Sequence, residues 1–269
     1  MLERIENRGV VYFKSTILKS RHAFSTRIGG VSELPHTKSL NLAFGLGDDR
    51  TTVYCNLERF SSVIGIDPTK IISVPQIHSK IVRTVDSTHA GEGVYGVPTQ
   101  SCDGYVSVES DLPIAIKTAD CVPILLEARN GDGDVIAVSA IHAGWRGTAD
   151  AIARVAVERL ISLGAAVENI YVAIGACIDE CCYEVGIDFA NAINEKLGQN
   201  YENKFIKKKE NGSLYANLKG MNIEILTSCG VPLNNIDVSP CCTCCDENTF
   251  YSHRRQKGQR GAMMSVICK

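Results

Sequence analysis

Thr118-Ala119-Asp120-Cys121 and His142-Ala143-Gly144-Trp145-Arg146-Gly147-Thr148 bracket two apolar runs, 122–126 and 135–141. Asn130-Gly131-Asp132-Gly133-Asp134 joins the runs. Two apolar strands with a Gly/Asn/Asp connection read as a hairpin-like unit. In an antiparallel pair the start of one strand lies beside the end of the next. Cys121 and His142 are therefore expected at the same end of one sheet. A thiol and an imidazole placed together suit a metal site or a nucleophilic dyad.

Outward from this unit, 112–117 reads as the strand leading in. After His142, Thr148 is a good N-cap, and Ile152, Val155, Ala156, Arg159, Leu160 and Leu163 form one mostly apolar helix face closed by Gly164. Toward the N-terminus, 9–14 and 23–26 read as strands, and a helix runs from about Thr51 with Val53, Leu57, Phe60 and Ile64 in register, stopped by Gly65. Segments 71–74, 81–85, 103–106 and 170–174 read as strands, 187–197 as a helix, and 204–209 with 213–217 as a hairpin. A helix over 218–229 and closing strands at 236–238 and 263–267 complete the pattern. No linker, repeat or low-complexity tract interrupts it. The expectation is one α/β domain over 1–269, with strands too irregularly joined for a doubly wound sheet.

A chain of 269 residues, 45% hydrophobic and 22% charged, can bury a large core, which excludes disordered and fibrous classes. The net charge of −2 offers no strongly basic face, so no nucleic-acid partner is expected. Lys207-Lys208-Lys209 borders Asn211-Gly212 and reads as a solvated hairpin tip. No apolar run approaches the roughly 20 residues needed to cross a bilayer. The opening Met1-Leu2-Glu3-Arg4-Ile5-Glu6 lacks a signal-peptide core. The expectation is a cytoplasmic protein with no membrane partner. In a reducing compartment its 12 cysteines are thiols or metal ligands before they are disulfides.

Of the 6 histidines, only His78 and His142 sit at strand ends beside Gly or Pro punctuation, as Cys121 does. One thiolate and two neutral imidazoles are a set zinc accepts, leaving a fourth position for water. The competing reading is a buried cysteine and two hydrogen-bonded loop histidines. Arg27 and Arg146 neighbour glycines, which suits close approach to an anion. Arg254 and Arg255 join them as candidates, with surface ion pairing the alternative. Asp120 is either a base or ligand-orienting group, or a structural carboxylate. Cys242-x-x-Cys245 needs a second pair to hold a structural zinc. Cys177-x-x-x-Cys181 is one source, but buried small cysteines are the favoured reading. Neither G-x-G-x-x-G nor G-x-x-x-x-G-K-[ST] occurs, so no standard phosphate loop is expected.

Eight segments occur in a telling order. They are Phe24-Ser25-Thr26-Arg27-x-Gly29-Gly30-Val31-Ser32, Ser39-Leu40-Asn41-Leu42, Gln76-x-His78, Asp103-Gly104, Thr118-Ala119-Asp120-Cys121-x-Pro123, His142-Ala143-Gly144-Trp145-Arg146-Gly147, Cys182-Tyr183-Glu184-Val185-Gly186 and Phe250-Tyr251-Ser252-x-Arg254-Arg255. Together they strongly resemble the laccase-domain family over nearly the whole chain. Its members are also called multicopper polyphenol oxidase-like proteins, purine nucleoside phosphorylases or peptidoglycan editing factors. The resemblance implies a single α/β domain of mixed β-sheets flanked by helices, similar to the cysteine-hydrolase fold of a deamidating bacterial toxin.

It also implies a zinc ion (Zn2+) held by His78, Cys121 and His142, with copper the alternative under the laccase label. It implies phosphorolysis of adenosine, inosine, guanosine and methylthioadenosine, and deamination of adenosine, with purine nucleosides and phosphate as partners. The other labels imply muropeptide-precursor hydrolysis or copper-dependent polyphenol oxidation. Cys121, His142, His78 and Asp120 become the catalytic candidates, and Arg27, Asn41, Arg146 and Arg254 the substrate- and phosphate-binding ones. The chain departs from the family pattern at Ala176, where proline is usual, and at His253, where tyrosine is usual. Gly258-Gln259-Arg260-Gly261 only loosely matches the family's Thr-Gly-Arg.

Overall fold

The computed structural model describes residues 2–269. At its centre β7 (Val122–Arg129) and β8 (Val135–Ala143) pair antiparallel, with Val122 opposite Ala143 and Pro123 opposite His142. Cys121 and His142 thus share one sheet end, as the hairpin pattern requires. These strands are the middle of a six-stranded mixed sheet. Its order is β13 (Ile236–Val238), β9 (Ile170–Ile174), β7, β8, β5 (Gly104–Ser107) and β4 (Val82–Thr84). The outermost pairings are parallel and the inner three antiparallel. A second sheet, antiparallel throughout, runs β1 (Glu3–Asn7), β2 (Val10–Lys14), β3 (Arg21–Ser25), β14 (Met263–Cys268) and β6 (Ile114–Thr118).

Side-chain alternation assigns the faces. Along β7, Val122, Ile124, Leu126 and Ala128 join one apolar cluster with α3 (Ile152–Ser162), α4 (Ile187–Leu197) and α6 (Leu218–Ser228), through Ala153, Val157, Ile193 and Leu226. Leu125 points the other way, into the cluster between the two sheets with Ile114, Ile116 and Ile267. Beyond the second sheet, α1 (Arg50–Ile64) sets Val53, Leu57 and Phe60 against Ala23, Ala115 and Val266. The layers are helix, sheet, sheet, helix. Burial of each large aliphatic side chain contributes about 1.5–3 kcal/mol. The α1 boundaries follow local chemistry. Asp49 caps it by accepting from Thr52 N, and Gly65 ends it at φ 71, a conformation glycine adopts without strain.

Three local expectations change. The single helix expected after Thr148 is two: α2 (Trp145–Ala149), capped by Gly144, and then α3, entered through Ala151 at φ 55. Thr148 is buried, and its hydroxyl accepts from Asn222 of α6, so tertiary packing takes the residue that local pattern offers as a cap. Segment 71–74 makes only one bridge, Ile72 to Ile114, because its backbone divides its bonds between the 92 and 113–115 segments. The stretch 204–209 splits into the end of α5 (Gln199–Phe205) and the short β11 (Ile206–Lys208). β11 completes a small sheet with β12 (Leu214–Ala216) and β10 (Glu184–Val185). Among the described residues, no helix is long and apolar enough to cross a membrane.

Candidate metal centre and its cavity

Three elements deliver the predicted trio. Cys121 ends a tight turn out of β6, in which Asp120 adopts φ 97. His142 lies near the end of β8, and His78 sits in an exposed loop at φ 58. Their ligand atoms all fall within 4.8 Å of one another. Cys121 Sγ is 3.9 Å from His78 Nε2, and the two imidazoles stand edge to face at 4.9 Å. Gly144 makes this possible. A Cβ there would lie 2.7 Å from His78 Cδ2 and 3.4 Å from both Cys121 Sγ and His142 Cε1.

Asp103 governs the orientation. This carboxylate is fully buried just before β5, and its Oδ1 lies 2.8 Å from His142 Nδ1. The same carboxylate accepts from His78 N, Ser79 N and Ser79 Oγ. Burial alone would raise its pKa, but His142 and these donors hold it at about 2. His142 therefore keeps Nδ1 on Asp103 and turns Nε2 toward the trio, the carboxylate–histidine pairing found behind metal-bound imidazoles. Burial would also raise the Cys121 thiol, yet the charge and hydrogen bonds of His142 and His78 bring it down to about 6. His142 moves the opposite way, to about 9, against burial and toward the charge of Cys121 and Asp103. The thiolate needed for metal binding or nucleophilic attack is thus the favoured form.

The trio opens onto a cavity of about 230 Å3 lined by Phe44, Gln76, Lys117, Thr118, Arg260 and neighbouring residues. Burial lowers the Lys117 ammonium to about 8. The Nε of Arg260 is buried with no hydrogen-bond partner. An orphaned donor on a cation beside a cavity is an anion site in waiting.

The remaining sequence candidates lie elsewhere. Asp120 is bonded into the fold: its oxygens accept from Thr243 Oγ1 at 2.6 Å, Ser252 Oγ at 3.0 Å and Arg254 N at 2.7 Å. The Arg27 guanidinium donates to Lys38 O and Glu247 O and stacks on Tyr251. Asn41 is buried and bonds to Ala43, Asp48 and Ala262, leaving it no free amide for substrate. Arg146 is exposed over the Trp145 ring, and Arg254 holds Cys182 O and Glu184 O. These two flank Tyr183, whose phenol is pushed up by burial and by Cys121. None of these five lines the cavity; Lys117 and Arg260 do. Asp103, Lys117 and Arg260 escaped the sequence reading, although Asp103-Gly104 and the loose Thr-Gly-Arg match were visible signals. The expected partner of Cys242-x-x-Cys245 also changes. The buried Cys177 thiol stays outside the group, and Cys181 with Cys182 meets Cys242 and Cys245.

Comparison with known proteins gives a consistent picture. The multi-copper polyphenol oxidoreductase laccase family matches residues 21–269. A purine nucleoside phosphorylase of Corynebacterium glutamicum is 32% identical over 247 residues, covering 92% of this chain and 93% of that protein. Adenosine deaminase RL5, from an unknown prokaryotic organism, is 32% identical over 87% of this chain and 88% of its own length. The crystal structure of YlmD from Geobacillus stearothermophilus superposes with a TM-score of 0.88 at 32% identity, over 98% of this chain and 97% of that one.

Proposed function

The chain belongs to the multi-copper polyphenol oxidoreductase laccase family, and from its similarity to a purine nucleoside phosphorylase and an adenosine deaminase we propose a zinc-dependent purine nucleoside phosphorylase that also deaminates adenosine, with the whole chain working as one domain. One observation carries this reading: a thiolate–imidazole–imidazole donor set and an unpartnered arginine donor share one cavity. One soft and two borderline ligands suit zinc. Multicopper oxidation needs a further histidine-rich cluster. The other histidines are engaged elsewhere: His22 with Ser15 and Ser20, His36 with Leu46 and His89 with Asp86, while His253 is exposed.

When bound by Cys121, His78 and His142, zinc supplies positive charge and Lewis acidity at the cavity floor. Asp103 holds the His142 ring so that Nε2 faces that floor. Arg260 binds the phosphate, which attacks C1′ as the bond from C1′ to the purine nitrogen breaks. Phe44 offers an aromatic face for the purine. Lys117 Nζ, with its pKa near 8, delivers a proton to the leaving base.

The test is a nucleoside screen with and without phosphate, reading free base. Phosphate-dependent release by the wild type, absent in His78→Ala, is the expected result. Base release indifferent to phosphate, or ammonia without base, would overturn phosphorolysis as the main reaction.

A second reading, a metal-independent cysteine hydrolase acting on an amide such as a muropeptide precursor, is favoured by the low pKa of Cys121 beside His142. Full activity in metal-stripped protein would establish it in place of the first.

A further inference from the structure

We propose a second metal site, a zinc centre of four thiolates formed by Cys181, Cys182, Cys242 and Cys245, which clamps two loops behind the cavity. The four sulfurs lie within 4.8 Å of one another, and Cys245 Sγ is 3.4 Å from both Cys181 Sγ and Cys182 Sγ. Zinc–sulfur bonds of about 2.3 Å in a tetrahedron place sulfurs about 3.8 Å apart. A disulfide needs about 2.05 Å. The spacing fits a shared ion.

Backbone geometry prepares the site. Cys242 forms a one-residue parallel bridge with Cys177, and Thr243 N donates to Cys177 O, which fixes the C-x-x-C turn against the other loop. Asp179 N donates to Cys242 Sγ at 3.4 Å. The N–H groups of Cys245 and Cys244 also face this sulfur.

A zinc ion with four thiolates carries a net −2 charge, and cations brace both loops. Arg255 donates to Thr243 O at 2.6 Å and Cys244 O at 3.0 Å. Arg254 donates to Cys182 O at 3.3 Å, and Lys219 Nζ lies 3.0 Å from Asp179 Oδ2. A closed set of four thiolates leaves no open position, so its role is structural. What it secures is the turn before Cys121: Thr243 Oγ1 bonds the Asp120 carboxylate, and Ile178 N donates to Asp120 O at 2.9 Å. One bonded residue comes from each clamped loop.

Metal analysis of intact protein produced with zinc should give two equivalents per chain, falling to one in Cys242→Ser/Cys245→Ser. Cobalt(II) substitution separates the centres by ligand count. His78→Ala/Cys121→Ala should keep the intense thiolate-to-cobalt charge-transfer absorption of four thiolates per ion, and Cys242→Ser/Cys245→Ser should lose it. Should that double variant fail to fold, Cys245→Ser alone changes an exposed residue. It should retain the wild-type circular dichroism while releasing one equivalent to a chelator that leaves wild type intact. Wild-type metal content in either cysteine variant would overturn the proposal. So would a disulfide between two of these four cysteines, found by peptide mapping of the unreduced protein.

Discussion

Two thiol-bearing clusters lie on either side of Asp120, and they are built differently. His78, Cys121 and His142 mix nitrogen with sulfur, meet at a cavity, and rest on the buried carboxylate of Asp103. Cys181, Cys182, Cys242 and Cys245 are all sulfur, bridge two loops, and line no part of that cavity. Three donors beside open space leave room for a substrate; four donors closed on themselves do not. Cysteine count alone therefore says little about reactivity. Donor mixture and access decide it.

The largest test of this contrast is Cys121→Ala. Removing an outer partner of a metal ligand costs about 10–100-fold. Loss of a ligand itself should lower phosphate-dependent base release by more than about 100-fold, while the four-thiolate cobalt absorption persists. Joint loss of both signals would show one coupled centre instead of two.

Next is Lys117→Gln, expected to cost about 100-fold at neutral pH, the lower end of general-acid contributions. Burial lowers the Lys117 pKa to about 8, so its proton is available below that pH and lost above it. Wild-type kcat/KM should fall as pH rises through about 8, and the variant should show no such limb.

Asp103→Asn and Gly144→Ala should each cost about 10–100-fold in activity and metal affinity, as outer-partner changes do. The first frees His142 to turn. The second drives a methyl against the His78 ring, 2.7 Å from Cδ2. Isothermal titration with zinc, alongside base-release rates, reads both effects.

The smallest expected change in turnover is that of Cys245→Ser, which should appear first as stability. A fall in Tm of at least about 3 °C corresponds to about 1 kcal/mol in a chain of this size. The kcat should drop less than in Asp103→Asn. A larger kinetic than thermal effect would make the cysteine cluster part of the reactive site.

Much of this was legible in the residues. The central hairpin follows from two apolar runs around a Gly/Asn/Asp turn, and its register brings Cys121 toward His142. The α1 limits follow from Asp49 and Gly65. The trio of Cys121, His142 and His78 was within reach because few histidines exist and two read as lying beside strand ends. Asp103 was not, because Asp-Gly is common. It becomes the partner of His142 only through the pairing of β5 with β8, where Gly104 faces Ile141. Arg260 reads as a loop cation until burial beside the cavity strips its Nε of partners. Arg27 and Asn41 looked equally suited to substrate, but in the fold Arg27 donates to Lys38 O and Glu247 O, and neighbouring groups take up the Asn41 amide.

Local pattern by itself determined the strand alternation, the α1 caps and the hairpin that brings Cys121 to His142, because each depends on alternation, a cap or a turn within a short window. Only the tertiary structure decided that Thr148 packs onto Asn222 instead of capping a helix. It alone decided that Asp120 braces the 243–254 segment, and that Cys181 and Cys182 meet Cys242 and Cys245. Those contacts join residues 60 or more positions apart. Sheet register and the packing of whole layers set such distances, and no periodicity within a short window encodes them.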